Sequence, residues 1–228
     1  MLESTEKYRE EERKLQKEER KNVIIHCAKN LFLTNGYGKT NMAELAKQAH
    51  ISRKTLYQYF SSKEEIAFEI EIQAFESFVD YQKKILKKIC GNGYEQLSSY
   101  FQILIDGLDT HDDFIRLTGL FDYYFVEDYP VSEKDQRFMP LIEETSQPLI
   151  EMIHKGINDG SITPDLVAEE VAHTLSNAFL ALAQRSISRE KHLSYEHHMD
   201  PRKMIQIQCD LFLKALKNTS KENANENK

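Results

Sequence analysis

The sequence predicts an all-α protein, with an N-terminal three-helix helix-turn-helix unit followed by a larger helical domain. Three observations lead there. Apolar residues recur at helical spacing through nearly every segment, and the C-terminal two-thirds shows no strand-like alternation. Residues 39–63, KTNMAELAKQAHISRKTLYQYFSSK, set two short helical patterns on either side of a brief turn. Charge is unevenly distributed: residues 20–63 hold eight Lys or Arg against Glu44 alone, a net +7, leaving −14 for the rest of a chain whose total is −7. A basic patch on an acidic molecule suits DNA binding in one orientation while limiting non-specific adhesion.

Composition narrows the class further. At 228 residues, 40% hydrophobic and without Trp, the chain can bury one good core, or a small unit attached to a medium one. No apolar run approaches the roughly 18 residues of a membrane span, and the charged N-terminus is unlike a secretory signal, so a cytoplasmic protein with no membrane partner is expected. Cys27, Cys90 and Cys209 are odd in number and far apart, which speaks against a disulfide framework or a zinc site and for free thiols. No cofactor is expected.

Residues 1–20 are almost entirely charged or polar and cannot build a core. They read as a solvated extension, helical or disordered; the sharper alternative is an arm in which Arg13, Lys14, Lys17 and Arg20 lie over the DNA backbone. From residue 21 to 65 the pattern is that of the DNA-binding unit. Val23, Ile24, Cys27, Ala28, Leu31 and Phe32 form a helical stripe that Asn35 and Gly36 end. Thr40 then stands where a hydroxyl and backbone N–H groups could hold a phosphate, or serves only the turn. Asn41 with Glu44 forms a capping box, and Met42, Leu45, Ala46 and Ala49 make the first apolar face. Ser52 caps the second helix and is expected at its DNA-binding face, while Leu56 and Phe60 point inward. Arg53, Lys54, Thr55, Tyr57, Gln58 and Tyr59 are left facing outward as cations for phosphates and polar or aromatic groups for base edges. Ser61 and Ser62, each followed three residues later by Glu, open a long helix with an apolar face from Ile66 to Ile89, about 40 Å in length and able to act as a lever. Lys63 in its first turn points back as a phosphate contact.

With these residues in view, the chain resembles the TetR family of bacterial transcription regulators. The likeness rests on Phe32, Gly36, Tyr37, Thr40, Leu45, Ala46, Ala49, Ile51, Ser52, Thr55, Leu56, Tyr57, Tyr59, Phe60, Lys63, Glu64 and Ile66, over about 45 residues at the family's spacing. The resemblance implies that the second helix of the motif enters the major groove, with Arg53, Lys54, Thr55, Tyr57, Gln58, Tyr59 and Lys63 at DNA-contacting positions. It also implies a C-terminal domain that binds a small-molecule effector and dimerises. One departure is His50, which stands where the family usually has Gly and where φ > 0 is expected.

Residues 66–217 form the larger domain. Residues 94–108 and 112–127 are rich in apolar and aromatic side chains, most of which a core explains. The resemblance implies that part of this set, Phe101, Leu104, Phe121, Tyr124 and Phe125, with Phe179 beyond it, lines a partly apolar effector pocket. A polar break with Pro130 spans Tyr129 to Phe138. A helix is then entered at Pro140, interrupted at Pro148 and ended at 158–160, and Thr163-Pro164 starts the next. His192, His197 and His198 read as part of a polar loop, and Asp200-Pro201 opens the last helix.

The last two long helices each carry two apolar stripes, more than one chain can cover. A homodimer through a four-helix bundle is expected, with Val171, Leu175, Ala178, Leu182, Ile205, Cys209, Phe212 and Leu216 at the interface. The tail, 218–228, is polar and expected to be disordered.

These features together predict a regulator, a repressor rather than an enzyme, that binds a palindromic double-stranded operator as a dimer under effector control. Two rivals exist. Glu151-x-x-His154 and Glu170-x-x-His173 resemble half of a di-iron carboxylate site, with Glu69 and Asp106 as further donors, although Glu and His at this spacing also form ordinary surface pairs. The other is a helical protein-interaction module with no DNA role.

Overall fold

A computed structural model describes residues 2–125 and 135–219, with the side chains of 2–6 and 135 left aside. Among the described residues ten α-helices, one 3-10 turn and a single β-bridge make up the ordered elements. No described helix is long and apolar enough to cross a membrane. The chain divides into two compact units, Met1–Gln73 and Ala74–Lys228.

The first unit begins with α1, Leu2–Asn35. Every described residue from Lys7 to Arg20 is exposed, so the charged extension is a solvated continuation of the first head helix. Beyond it Ile24, Ile25, Ala28 and Phe32 turn inward. A 3-10 turn, Tyr37–Lys39, leads to α2, Met42–Gln48, and α3, Arg53–Tyr59. Leu45, Ala46, Ala49, Leu56 and Phe60 close the core against α1, all at most 3% exposed.

α4, Lys63–Leu86, carries the chain from the first unit into the second. Its cap differs from the expected pair of boxes. Ser62 Oγ accepts from the Glu65 N–H at 3.1 Å and Glu65 reaches back to the Ser61 N–H at 2.7 Å, whereas Glu64 accepts from the Tyr37 hydroxyl at 2.9 Å. The helix ends at Leu86, short of Ile89, because the Lys88 and Ile89 N–H groups tighten onto the Ile85 and Leu86 carbonyls.

The second unit packs α5 (Gly93–Asp106), α6 (Asp112–Tyr124), α7 (Asp135–Asp159), α8 (Ala168–Ser188), α9 (Glu190–His197) and α10 (Pro201–Leu216) around a core that includes Leu97, Tyr100, Phe101, Ile153, Ile205 and Cys209. α5 and α7 approach closely enough that a Cβ on Gly93 would stand 2.1 Å from the Gly156 backbone nitrogen.

Three expectations change here. α7 starts at Asp135 and runs through both Pro140 and Pro148. Pro148 can donate no N–H to the preceding turn, and the side-chain oxygens of Thr145 and Ser146 bond the Ile142 carbonyl nearby. α8 begins at Ala168, not at Pro164, because Ile162 is buried and bridged to Lys217, with Thr163 N–H bonded to the Leu216 carbonyl, which holds this stretch extended. The segment with His192 and His197 is helical, anchored by Leu193 at 1% exposure, and His198 caps it at φ 50°. The expected break at 129–138 lies largely outside the described residues. So does the tail from Ser220, while Asn218 is tied to the Ser161 and Gly160 carbonyls.

Candidate nucleic-acid interface and effector cavity

In the first unit, the motif is held by its own caps. Asn41 Oδ1 accepts from the Ala43 and Glu44 N–H groups at 3.0 and 3.1 Å, and Glu44 Oε2 accepts from the Asn41 N–H at 3.2 Å. Between the helices His50 adopts φ 53°, the left-handed conformation for which Gly is the usual choice. Ser52 Oγ then caps α3 through the Thr55 N–H at 3.0 Å and bonds the Thr55 hydroxyl at 2.8 Å. With Leu56 fully buried, α3 presents Arg53, Lys54, Tyr57 and Gln58 to solvent, Tyr57 at 48% exposure, while Thr55 and Tyr59 are half-buried at its edges. Lys39 and Lys47, exposed on the preceding elements, belong to the same unit and were not singled out from sequence.

Two residues expected at the DNA face are placed otherwise. Thr40 is 2% exposed and its hydroxyl donates to the Gly36 carbonyl at 3.0 Å, which closes the turn and leaves no phosphate ligand. Lys63 Nζ donates to the Tyr37 and Thr40 carbonyls at 2.8 and 3.0 Å and sits 4.0 Å from the Tyr37 ring centroid. Two of its three N–H donors are engaged inside the turn. Lys21 is engaged as well, with Glu69 at 3.0 Å. Burial pushes the neighbouring Glu64 carboxyl up, but its own backbone N–H, the Tyr37 and Ser62 donors and Lys63 together hold it below the ordinary value.

The second unit contains a cavity of about 210 Å³. Aromatic rings dominate its wall: Phe78 and Phe114 are stacked at 4.8 Å, Phe75 meets Phe114 edge-on at 5.4 Å, and Phe101 and Phe179 lie 6.0 Å apart. Of the six expected lining residues, Phe101, Leu104 and Phe179 are in this wall. Phe121 and Phe125 are not; they stack on each other at 4.6 Å, with Phe138 6.1 Å from Phe121. Tyr124 is 43% exposed and packs edge-on against Tyr123. Sequence reasoning missed Phe75, Phe78, Gln82 and Tyr100, although Gln82 is a polar residue on the apolar stripe of the long helix, a signal that was available. Gln82 is 2% exposed and donates through Nε2 to the Tyr100 hydroxyl at 2.6 Å and the Thr145 carbonyl at 2.9 Å. Burial pushes the Tyr100 hydroxyl up to about 12, so it is a neutral wall group, and burial holds His111 below the ordinary histidine value.

The apolar stripes of α8 and α10 are resolved into inner and outer faces. Leu175, Ile205, Cys209 and Leu216 are buried within the chain, at 4, 0, 0 and 6% exposure, and are core residues. Val171, Ala178, Leu182 and Phe212 are half-buried. The large apolar residues that α10 turns outward are Ile207 and Leu211, and Val167 is exposed just ahead of α8.

The two Glu-x-x-His pairs are surface groups: His154 meets Glu169 at 3.1 Å and Glu151 accepts from Gln147 at 3.0 Å. Glu69 holds Lys21, and Asp106 accepts from Gln102. No three His, Cys, Asp or Glu side chains come together as a metal-holding group among the described residues.

Residues 24–70 match the model of the family described as bacterial regulatory proteins, tetR family. The HTH-type transcriptional regulator QacR of Staphylococcus aureus is 22% identical over 198 residues, 86% of this chain and 97% of that protein. Among solved structures, the MbdR regulator from Azoarcus sp. CIB has the same fold at a TM-score of 0.65 and 18% identity, covering 86% of this chain and 98% of that one. Thermus thermophilus FadR, a TetR-family transcriptional repressor solved with lauroyl-CoA, matches at a TM-score of 0.56 and 22% identity over 86% and 94% of the two chains.

Proposed function

We propose that this chain, a TetR-family DNA-binding transcriptional regulator, is a repressor that binds a palindromic operator as a homodimer and releases it when a small, partly apolar effector fills the cavity of the second unit. The observation that carries this reading is the outward set on α3, Arg53, Lys54, Tyr57 and Gln58, on a helix whose opposite side is locked into the head core. Arg and Lys meet phosphates or guanine, while Tyr and Gln are suited to base edges and thymine methyls. A single short helix reads few base pairs, so specificity calls for a second copy.

The exposed Ile207 and Leu211 on α10 support that second copy. Two recognition helices related by a twofold axis must meet major-groove segments about 34 to 36 Å apart. An effector that binds the non-reading spacing better shifts the population away from DNA. The protein then acts in the cytoplasm, where its operator is.

The test is a salt titration of full-length protein on an operator duplex. Wild type loses affinity steeply with salt, and the double variant Arg53→Ala, Lys54→Ala loses both affinity and slope, by about 0.9 per phosphate contact removed. Salt-insensitive binding would instead favour a protein-interaction module.

A further inference from the structure

The turn between α2 and α3 carries a strain that the fold does not explain. His50 stands at φ 53°, in the left-handed region where a Cβ is disfavoured and Gly is the usual residue. Its backbone is used, the N–H donating to the Lys47 carbonyl at 3.1 Å. Its side chain is exposed and makes no hydrogen bond or ion pair among the described residues. Strain kept at an exposed position, with no contact inside the protein to offset it, points to a function.

The place of the turn indicates which one. In a helix-turn-helix the first helix crosses the DNA backbone and the N-terminal end of the second meets base edges, so the residues that join them pass over phosphates. His50 comes two residues before Ser52, the cap of α3. Exposed cations stand on either side of it, Lys47 at the end of α2 and Arg53 and Lys54 at the start of α3. The other groups on these elements that are charged or titrate in the same range are Glu44 on α2, and His26 and Lys29 on the part of α1 that packs against α2. His26 is engaged with Asn30 at 3.2 Å. Glu44 holds the Asn41 N–H at the opposite end of α2. An anion for a protonated His50 therefore has to come from outside the turn.

Building on the regulator reading above, we infer that His50 is a phosphate contact of the operator complex and is protonated there, so that DNA binding takes up a proton and strengthens as pH falls. Histidine is the side chain whose charge ordinarily changes between pH 5 and 8, and a phosphate oxygen beside the ring favours the charged form. The imidazolium neutralises one phosphate more than the neutral ring does, and one more counterion is released. Gly would fit the turn better and could supply neither the proton nor the contact.

Salt titration at pH 6 and at pH 8 tests this, with the full-length protein on a duplex recovered by selection from a random pool. Wild type is expected to bind at least about threefold more tightly at pH 6, with a salt slope steeper by up to about 0.9. The chain's eight histidines together make it less acidic at pH 6, so variants decide the assignment. His50→Gly, which the turn favours, and His50→Asn, which tolerates the same φ, should each lose the difference in slope, whereas His26→Gln should keep it. A difference that survives both His50 variants overturns the inference, as does its loss in His26→Gln or weaker wild-type binding at pH 6. Its failure is separable from that of the regulator reading. Salt-dependent binding with one slope at both pH values removes the His50 contact and keeps the regulator; absence of salt-dependent duplex binding at either pH removes both.

Discussion

The Lys63 ammonium donates to the Tyr37 carbonyl at 2.8 Å and lies 4.0 Å from the centroid of the same residue's ring. This contact, with a second bond to the Thr40 carbonyl, makes Lys63 the pin of the turn that precedes the motif. Lys63→Met is therefore expected to destabilise the head by about 1 to 2 kcal/mol, through two carbonyls left without their donor and a lost cation–π contact. Chemical denaturation measures it. The salt slope of operator binding stays at the wild-type value, whereas a phosphate-bound Lys63 would reduce it by about 0.9.

His50 holds a left-handed conformation at φ 53° with its side chain in solvent. His50→Gly removes the Cβ strain and concedes some unfolded-state entropy, for a net gain of about 0.5 to 1 kcal/mol. The denaturation midpoint should rise. A fall would mean that the imidazole contributes more than its exposed position suggests.

Leu211 is 61% exposed on α10, one turn from Ile207 at 40%. Leu211→Asp should give a folded protein that sediments at one chain mass at micromolar concentration, with operator affinity lowered by at least about tenfold because half the contacts are lost together. Cys209→Asp, on the inner face at 0% exposure, should instead lower stability. A dimer that survives Leu211→Asp moves the interface elsewhere.

The three thiols should react very differently. Burial, with Asp210 nearby, pushes the Cys209 thiol up to about 12, so at pH 8 it is almost wholly protonated as well as shielded. Burial also raises Cys27, whose Sγ lies 3.6 Å from the Gln48 carbonyl. Iodoacetamide at pH 8 should label exposed Cys90 in the native protein, leaving Cys209 untouched until denaturant is added; comparable labelling of both by mass spectrometry would contradict the packing of α10.

Local signals were the legible part of the sequence. Asn41 with Glu44, Ser52 before Arg53, Asp200 before Pro201 and His50 at a glycine position each announce a backbone state through neighbours a few residues away, and each is found in that state. Long-range geometry was not legible. Nothing near Thr40 or Lys63 in sequence reveals that the lysine reaches back 26 residues to close a turn. Two adjacent apolar stripes on one helix look alike until packing decides that Cys209 faces inward and Leu211 outward. The cavity was misjudged for the same reason. Phe121 and Phe125 stack beside it, while its polar feature, Gln82, belongs to a helix read only as a lever.

Selection of bound duplexes from a random pool by the full-length protein decides whether the head reads DNA as one of a pair. Enrichment of an inverted repeat is expected, with half-site centres about one helical turn, or a multiple of it, apart, and that enrichment should be lost when Tyr57 and Arg53 are both changed to Ala. Recovery of no common sequence, or of an unrepeated site unaffected by those two changes, would contradict it.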